Sequence, residues 1–411
     1  MTDKDIRDVI PENLQSDEVA YYDDVQDDRG LNRFMMLLIT AAMIPWLFGG
    51  VEIFGFKIMG WAWVIPLIVA SLICLKNLRY IAFPIGLWIF WALLLGVYWF
   101  FGRGNPDALQ SLMQMLSPIV VGCAVSTFRA ENRQLEKFIT WITRLAIITW
   151  ILLLIRWPIV LTGKLPGHGF MAAEMIGLLL LGACYASFYA CGSRRHLYYY
   201  FSMVAIVFVA LVRGPLVAML SCLPFTPVPL GVKKRIILVA VIIICTAVIF
   251  NTERVQQRMF FSGSGKIADI RWENPDFITT GRSVFLDVLW PGVEQEPIWG
   301  NGFNSYRNVF TETGFERALP HNDWLKLLHD IGIVGTGIYL VTMLLQIFFL
   351  VRIARWSGGA RQMLAYGAAT AFIPYMLIML TDNVILYVQF FGNLHFALIG
   401  LVYGANTKSE G

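Results

Sequence analysis

Four polar residues in apolar or loop segments are of the types that bind anions or transfer protons. Arg213 lies between two apolar stretches in FVALVRGPLVAML, and Arg282 opens a predicted loop helix in TTGRSVFLDVLW. His321 precedes a long apolar run in ALPHNDWLKLL, and Asp382 lies in IMLTDNVILY. Guanidinium groups bind phosphate oxygens through paired N–H donors, and a neutral imidazole accepts protons at physiological pH. These residue types predict a site that binds a phosphate-bearing ligand and activates a hydroxyl.

Each of these residues also has an ordinary structural interpretation. Arg213 could extend to lipid headgroups, although an arginine within a membrane costs about 2.5–3.5 kcal/mol on insertion scales. The following Gly214-Pro215 indicates a broken helix, which would expose backbone donors to a ligand. A surface Arg282 is ordinarily solvated, and a single histidine is more often structural than catalytic. His329 and Asp330 are expected to form a polar pair in helix packing.

Further candidates lie near these residues in the predicted topology. His168 and Glu174 stand near the start of an apolar stretch, and Asn322 follows His321 directly. An acid close to His321, such as Asp382, would orient the imidazole or bind a sugar hydroxyl. The sequence has no P-loop, no kinase signature, no His/Cys zinc pattern and no DxD-type motif. We therefore expect a reaction without a metal or a cofactor, and no nucleic-acid partner.

The composition indicates which elements must position these side chains. Of the 411 residues, 57% are hydrophobic and only 15% are charged, with a mean hydropathy of +0.63. A soluble domain carries about 25% charged residues, so the composition predicts an all-α polytopic membrane protein. Residues 1–29 differ, with ten acidic and three basic residues, and are expected to form a solvated, disordered tail.

Twelve apolar stretches are long enough, or nearly so, to cross a bilayer as helices. They are approximately residues 33–50, 58–75, 80–101, 107–128, 137–156, 170–191, 197–212, 214–229, 236–250, 323–351, 361–381 and 384–404. The eighth contains Pro224, Pro227 and Pro229 in its last part, so its end is expected to be broken or re-entrant.

The distribution of basic residues sets the orientation of these spans. With the N-terminus in the cytoplasm, thirteen basic residues fall in five short inside loops and five fall in short outside loops. The thirteen are Lys76, Arg79, Arg129, Arg133, Lys137, Arg194, Arg195, Lys233, Lys234, Arg235, Arg352, Arg355 and Arg361. The five are Lys57, Arg103, Arg156, Lys164 and Arg213. Cytoplasmic loops are enriched in Lys and Arg, so the alternation predicts about twelve spans with both ends inside.

The predicted organisation has five parts. They are an acidic tail (1–30), spans one to nine (31–250), an outer loop with short helices (251–322), spans ten to twelve (323–404) and a cytoplasmic C-terminal tail (405–411). Thr279 or Thr280 would cap a loop helix from about Arg282 to Trp290, and Pro291-Gly292 would end it. In this topology the four site residues all lie on the outer face, where an energy-rich lipid carrier is the logical donor.

The motifs resemble those of the O-antigen ligase and O-antigen polymerase superfamily. They are Arg213 in LVRGPL, the TGR sequence of Thr280-Gly281-Arg282, GNGFNSY from Gly300 to Tyr306, and PHNDWLKLLHDIGIVG from Pro320 to Gly335. They occur in the expected order, and the topology extends the resemblance over most of the chain. Val212 departs from the pattern, because members often have serine before the arginine, but the arginine carries the charge.

The resemblance implies a C-type glycosyltransferase fold in the bacterial inner membrane, with its active site facing the periplasm. The donor would be an undecaprenyl-pyrophosphate-linked glycan, with membrane lipids around it. His321 would be the general base on the acceptor hydroxyl, and Arg213 and Arg282 would bind the pyrophosphate. Asp382, Glu174, His168 and Asn322 would support the base or contact the acceptor. A single displacement would invert the anomeric configuration.

Three alternatives remain open at the level of the sequence. A ligase transfers the finished glycan to lipid A-core, whereas a polymerase for O-antigen, capsule or exopolysaccharide uses a lipid-linked repeat as acceptor. A transporter or flippase of lipid-linked sugars suits twelve spans equally well, but it would need charged residues along a path through the bilayer and inverted repeats. The polar residues singled out above lie instead at one face, which favours an enzyme.

Overall fold

The chain folds into a bundle of α-helices in a computed structural model. The structure describes residues 28–48, 52–53, 56–101, 106–161, 172–210, 212–271, 274, 276–278, 282–315 and 319–405. The helices in these ranges are α1 (Asp28–Phe48), α2 (Ile58–Trp61), α3 (Val64–Lys76), α4 (Ile85–Phe101), α5 (Pro106–Ser126), α6 (Asn132–Leu161), α7 (Ala172–Ala190), α8 (Arg195–Val209), α9 (Arg213–Phe225), α10 (Val232–Phe250), α11 (Glu253–Met259), α12 (Arg282–Gln295), α13 (Tyr306–Glu312), α14 (Asp323–Trp356), α15 (Gly359–Ile378) and α16 (Gly392–Gly404). The predicted all-α class is confirmed.

Short non-helical elements complete the described fold. Two-residue strands, β1 (Glu52–Ile53) and β2 (Phe56–Lys57), pair antiparallel. Two 3₁₀ turns cover Leu78–Tyr80 and Ile267–Asp269.

The centre of the bundle is formed by α7, α15 and α16, whose side chains are buried on nearly every face. Small residues allow close helix approach there, as is usual when helices pack inside a membrane. A Cβ at Gly400 of α16 would overlap the carbonyl of Gly122 on α5, and one at Gly367 of α15 would touch Cys184 of α7. The packing of these helices therefore depends on the absence of bulk at their contacts.

The outer helices expose apolar side chains that a soluble protein would bury. Examples are Phe90 on α4, which is 71% exposed, and Leu154 on α6, which is 67% exposed. Within the described ranges, three helices are long and apolar enough to cross a membrane, over Asp107–Ser126, Asn132–Ile155 and Asp323–Trp356. Large contiguous apolar surfaces mark contact with lipid or a partner, and with these helices they identify a membrane protein. The count of twelve spans and the outer position of residues 251–322 stay predictions.

The last predicted span differs from the observed helix. The sequence predicts a span over 384–404, but α16 begins only at Gly392, and residues 380–391 form turns. The polar run Thr381-Asp382-Asn383 offers side-chain partners to the backbone, which competes with helix formation. The backbone N–H of Asn383 donates to Asp382 Oδ1 at 2.8 Å. This turn segment carries one of the candidate site residues.

A small second core attaches the loop helices to the start of α14. This cap core consists of Leu289 and Val293 of α12, Tyr306 and Phe310 of α13, and Leu325 of α14. The sequence predicts that Pro291-Gly292 ends α12, and this is wrong, because α12 continues to Gln295. Leu289 and Val293 pack into the cap core on either side of Pro291, which holds the helix together across the proline.

A kink in α14 lets a second chain segment cross the helix. Gly332 has φ +61°, and a Cβ there would overlap the carbonyl of Ile298. The crossing segment uses backbone groups that the kink releases, since Ile333 N–H donates to Pro297 O at 2.9 Å and Gly302 N–H to Asp330 O at 2.9 Å. Only glycine tolerates such a conformation and such an approach at little cost. Gly332 in the Pro320–Gly335 motif therefore allows the segment 297–302 to cross α14 at a fixed position.

Candidate functional site

His321 and Asp382 form a hydrogen-bonded pair at the end of the bundle where α14 begins. His321 Nδ1 lies 3.2 Å from Asp382 Oδ1, and the carboxylate is 4% exposed whereas the imidazole is 38% exposed. His321 has φ +47°, in the left-handed region that non-glycine residues rarely adopt. Such strain is typical of functional sites. The backbone holds the imidazole beside a buried carboxylate and leaves it open to solvent.

The carboxylate determines which imidazole nitrogen can act as a base. Asn383 Nδ2, a hydrogen-bond donor, also lies 3.2 Å from His321 Nδ1. A protonated Nδ1 donates to the carboxylate and an unprotonated Nδ1 accepts from the amide, so only one of the two hydrogen bonds forms at a time. The adjacent negative charge favours the proton on Nδ1, which leaves the Nε2 lone pair free. The arrangement reproduces the part of a catalytic triad in which an acid fixes the tautomer of a histidine base.

Asp323 fixes the turn that carries Asp382. Its backbone N–H donates to Met379 O at 2.8 Å, and its Oδ2 accepts from the N–H of Ile385 at 2.9 Å. These bonds hold the chain on both sides of Asp382. Asn322 caps α14, because its side-chain oxygen accepts from Leu325 N–H at 3.0 Å.

Arg282 lies next to this pair at the first position of α12. Phe285, one turn along α12, stacks on the His321 ring with centroids 6.4 Å apart. Burial lowers the pKa of the Arg282 guanidinium, and the Asp382 carboxylate acts in the opposite direction. Among the described residues, the buried Nε of Arg282 has no hydrogen-bond partner. An unsatisfied buried donor costs about 1–3 kcal/mol, more when charged, so this geometry favours a bound anion.

Arg213 reaches the same region from the start of α9. The helical conformation is interrupted between α8 and α9, where Val212 is extended. Arg213 Nη2 donates to the carbonyl of Ile278 at 2.8 Å, four residues before Arg282. A Cβ on Gly214 would overlap Thr381 Oγ1, beside Asp382. The four residues predicted from the sequence therefore come from four distant segments and meet at one end of the bundle.

The remaining predicted residues divide into described and undescribed ones. Asn322 is adjacent to His321, and its side chain caps α14. His168 lies outside the described residues, as do Thr280 and Gly281 of the TGR motif, and the side chain of Glu174 is not described. In the described part of the chain, no group of three or more His, Cys, Asp or Glu side chains could hold a metal ion.

A buried charged cluster on α14, close to the site, was not predicted from the sequence. Lys326 is 1% exposed, and its Nζ lies 5.0 Å from the centre of the Tyr306 ring. Asp323 and Asp330 stand three residues before and four after it on α14, so all three share one face. This spacing in an apolar helix was the available signal. His329 and Asp330 pair as expected, with Nδ1 3.0 Å from Oδ1.

Asp330 also secures the start of α13. Its carboxylate accepts the backbone N–H groups of Asn304 at 3.1 Å and Tyr306 at 3.0 Å. The buried Asp330 carboxylate therefore holds the GNGFNSY motif against α14, and this contact gives the motif a structural role.

Comparison with known proteins found a family match. Residues 167–340 match a family model described as O-Antigen ligase. The matched segment contains Arg213, Arg282 and His321, and Asp382 lies beyond it. No curated protein matches the chain. The match confirms the resemblance of this segment to the O-antigen ligase and polymerase superfamily.

Proposed function

We propose, on the premise that residues 167–340 are an O-antigen ligase-type segment, that the protein is a glycosyltransferase acting at the periplasmic face of the bacterial inner membrane. It would transfer a glycan from an undecaprenyl-pyrophosphate carrier to an acceptor hydroxyl. The observation that carries the proposal is the juxtaposition of the His321–Asp382 pair with Arg282, whose buried Nε has no hydrogen-bond partner among the described residues.

The two arginines serve the leaving group. Arg282 offers a buried N–H donor, and Arg213 brings a second guanidinium to the adjacent Ile278–Arg282 segment. A departing pyrophosphate gains negative charge on the oxygen that leaves the anomeric carbon. Fixed positive groups in a site shielded from water stabilise that charge most in the transition state. This function needs no metal ion, because arginine forks bind phosphate oxygens directly.

His321 activates the acceptor. Nε2 takes the proton of the acceptor hydroxyl while the oxygen attacks the anomeric carbon. The bond between that carbon and the pyrophosphate oxygen breaks, and the electron pair leaves with the lipid pyrophosphate. Asp382 holds the Nδ1 proton in place and stabilises the positive imidazolium that forms. One displacement of this kind inverts the anomeric configuration.

The acceptor defines the finer function. We favour a ligase with lipid A-core as acceptor, and the alternative is a polymerase that uses a second lipid-linked repeat. A transporter is less consistent with the geometry, since the four predicted site residues meet at one end of the bundle.

The decisive experiment is a deletion strain examined for its surface glycans and lipid-linked intermediates. A ligase predicts loss of long chains on lipid A together with accumulation of lipid-linked polymer. Single-repeat products on lipid A mean a polymerase. Loss of surface glycans, with lipid-linked intermediates trapped on the cytoplasmic side, would overturn glycosyl transfer in favour of transport.

A further inference from the structure

A buried lysine, Lys326, stands between two buried acids at the start of α14. Its side chain is 1% exposed, and Asp323 and Asp330 are 0% and 2% exposed. The acids lie three residues before it and four after it, so all three side chains share one face of the helix. A buried charge is costly unless a charge of opposite sign lies nearby. The ammonium of Lys326 is in a position to compensate both carboxylates.

The two acids differ in how far hydrogen bonds stabilise them. Asp330 accepts from two backbone N–H groups at the start of α13 and from a serine hydroxyl. Asp323 accepts through Oδ2 from the N–H of Ile385 at 2.9 Å, whereas its buried Oδ1 has no hydrogen-bond partner among the described residues. The compensating charge therefore matters most for Asp323.

The position of the ammonium suits an interaction through space. Lys326 Nζ has no hydrogen-bond partner in the described part of the chain, and it lies 5.0 Å from the centre of the Tyr306 ring. That ring is fully buried, and its face attracts a cation. Charges a few ångströms apart attract more strongly in an interior shielded from water than in bulk solvent. Lys326 can therefore stabilise the Asp323 carboxylate without a direct hydrogen bond.

Asp323 connects this charge to the His321–Asp382 pair. Its N–H bond to Met379 O and its Oδ2 bond to Ile385 N–H hold the chain before and after Asp382. Only the second bond uses the carboxylate. A buried carboxylate without compensation takes up a proton, and a neutral acid accepts a hydrogen bond more weakly than an ionised one. The Ile385 side of the turn would then loosen, and Asp382 would lose its place beside His321.

We propose that Lys326 is a positioning residue for this pair, because its positive charge compensates the carboxylate that holds the Asp382 turn. The inference rests on the proposed function and adds a buried residue that contacts neither donor nor acceptor. Arg213 and Arg282 lie on α9 and α12, outside this connection. Lys326 therefore acts on kcat and leaves the KM for the donor unchanged.

The first arm of the test separates charge from packing. In purified protein with a lipid-linked glycan, Lys326→Met removes the charge and keeps an unbranched side chain. It should lower kcat about tenfold at an unchanged donor KM, because one hydrogen bond that positions the acid is weakened. Lys326→Arg keeps the charge and should retain more of kcat than Lys326→Met. Packing alone predicts the reverse order, since methionine adapts to a buried site more easily than a planar guanidinium.

The second arm removes both charges. Asp323→Asn combined with Lys326→Met keeps an amide oxygen for the N–H of Ile385 and leaves no carboxylate to compensate. This double variant should have a higher kcat than Lys326→Met, and such non-additivity reports coupling between the two side chains. Removing two opposite buried charges is tolerated better than removing one, so the double variant decides the question even if Lys326→Met does not fold.

Hydrogen exchange tests the hold on the turn without glycan transfer. Lys326→Met should speed amide exchange in residues 380–391, and the double variant should restore protection. Gln346→Met is the control, because Gln346 is also buried on α14 but accepts from Trp88 Nε1 at 3.1 Å, away from the turn. It should change neither kcat nor exchange in the turn.

Two results would overturn the positioning role. One is a kcat of Lys326→Met equal to that of the unmodified protein, and the other is a folded double variant whose kcat is no higher than that of Lys326→Met. Faster exchange in the turn of Lys326→Met, in a protein that transfers no glycan even when unmodified, would instead overturn the proposed function and retain the hold of Lys326 on the turn.

Discussion

Replacing Asp382 with asparagine should slow transfer without weakening donor binding. The substitution keeps the side-chain shape, and the backbone N–H of Asn383, 2.8 Å from Oδ1, should keep the amide oxygen turned toward His321. The tautomer of His321 is then preserved, and the charge alone is removed. The measured effect therefore isolates the electrostatic stabilisation of the imidazolium formed in the transition state.

The size of the effect follows from the distance and the exposure of the pair. Two unit charges 3.2 Å apart attract by about 1 kcal/mol if screened as in water and by about 5 kcal/mol at an effective dielectric constant of about 20. His321 is 38% exposed, so solvent screening places the value in the lower half of that range, at about 2–3 kcal/mol. Each 1.36 kcal/mol is tenfold in rate, which predicts a fall in kcat of about 100-fold.

The donor KM should fall or stay unchanged. Asp382 lies close enough to Arg282 to oppose the effect of burial on its pKa, so removing the acid strengthens the field that attracts pyrophosphate. Steady-state kinetics of purified protein with a lipid-linked glycan would measure both parameters for Asp382→Asn. A raised KM with an unchanged kcat would refute the reasoning, because it would make Asp382 a binding residue for substrate.

Three further predictions concern the arginines, the kink and the metal. Arg282→Lys removes the Nε donor and the planar fork of the guanidinium. It should lower kcat/KM about 10- to 100-fold, because a hydrogen bond to a charged group contributes about 1.5–3 kcal/mol. An unchanged kcat/KM would mean that the fork is not needed. Gly332→Ala should lower the free energy of unfolding by at least about 2 kcal/mol in a detergent melt, because φ is +61° and the Cβ would overlap Ile298. Gly337→Ala on the same helix is the control, since nothing lies within 4 Å of its Cβ, and equal melts would contradict the crossing described above. Transfer by purified protein should persist in excess chelator, and its loss would contradict direct binding of pyrophosphate by arginine.

The sequence predicted which side chains meet at one end of the bundle better than it predicted the elements around them. Arg213 and His321 stood out because a charged or titratable group beside apolar segments is costly without a partner or a function. Their assembly followed from the charge alternation, which put their segments at one end of the bundle. The structure places His321, Asp382, Arg282 and Arg213 together in that way.

Two of the misses share a physical cause, which is contact between segments distant in sequence. Pro291 was expected to end α12, but tertiary packing of Leu289 and Val293 in the cap core overrides that local preference. The sequence of residues 384–391 is typical of an apolar span. The hydrogen bond from Ile385 N–H to the carboxylate of Asp323, 62 residues earlier, holds these residues in a turn segment instead. Lys326 was not predicted, because its proximity to Asp323 and Asp330 is recognised only when the three positions are placed on the same face of α14.

The most direct test is glycan transfer by purified protein carrying His321→Ala, with a defined lipid-pyrophosphate donor and its acceptor. The unmodified protein should transfer the glycan with inversion, and the variant should lose at least about 100-fold in kcat, the contribution typical of a general base. Its donor binding and its unfolding midpoint should be retained. A variant that transfers at the normal rate would contradict the assignment of His321 as the base.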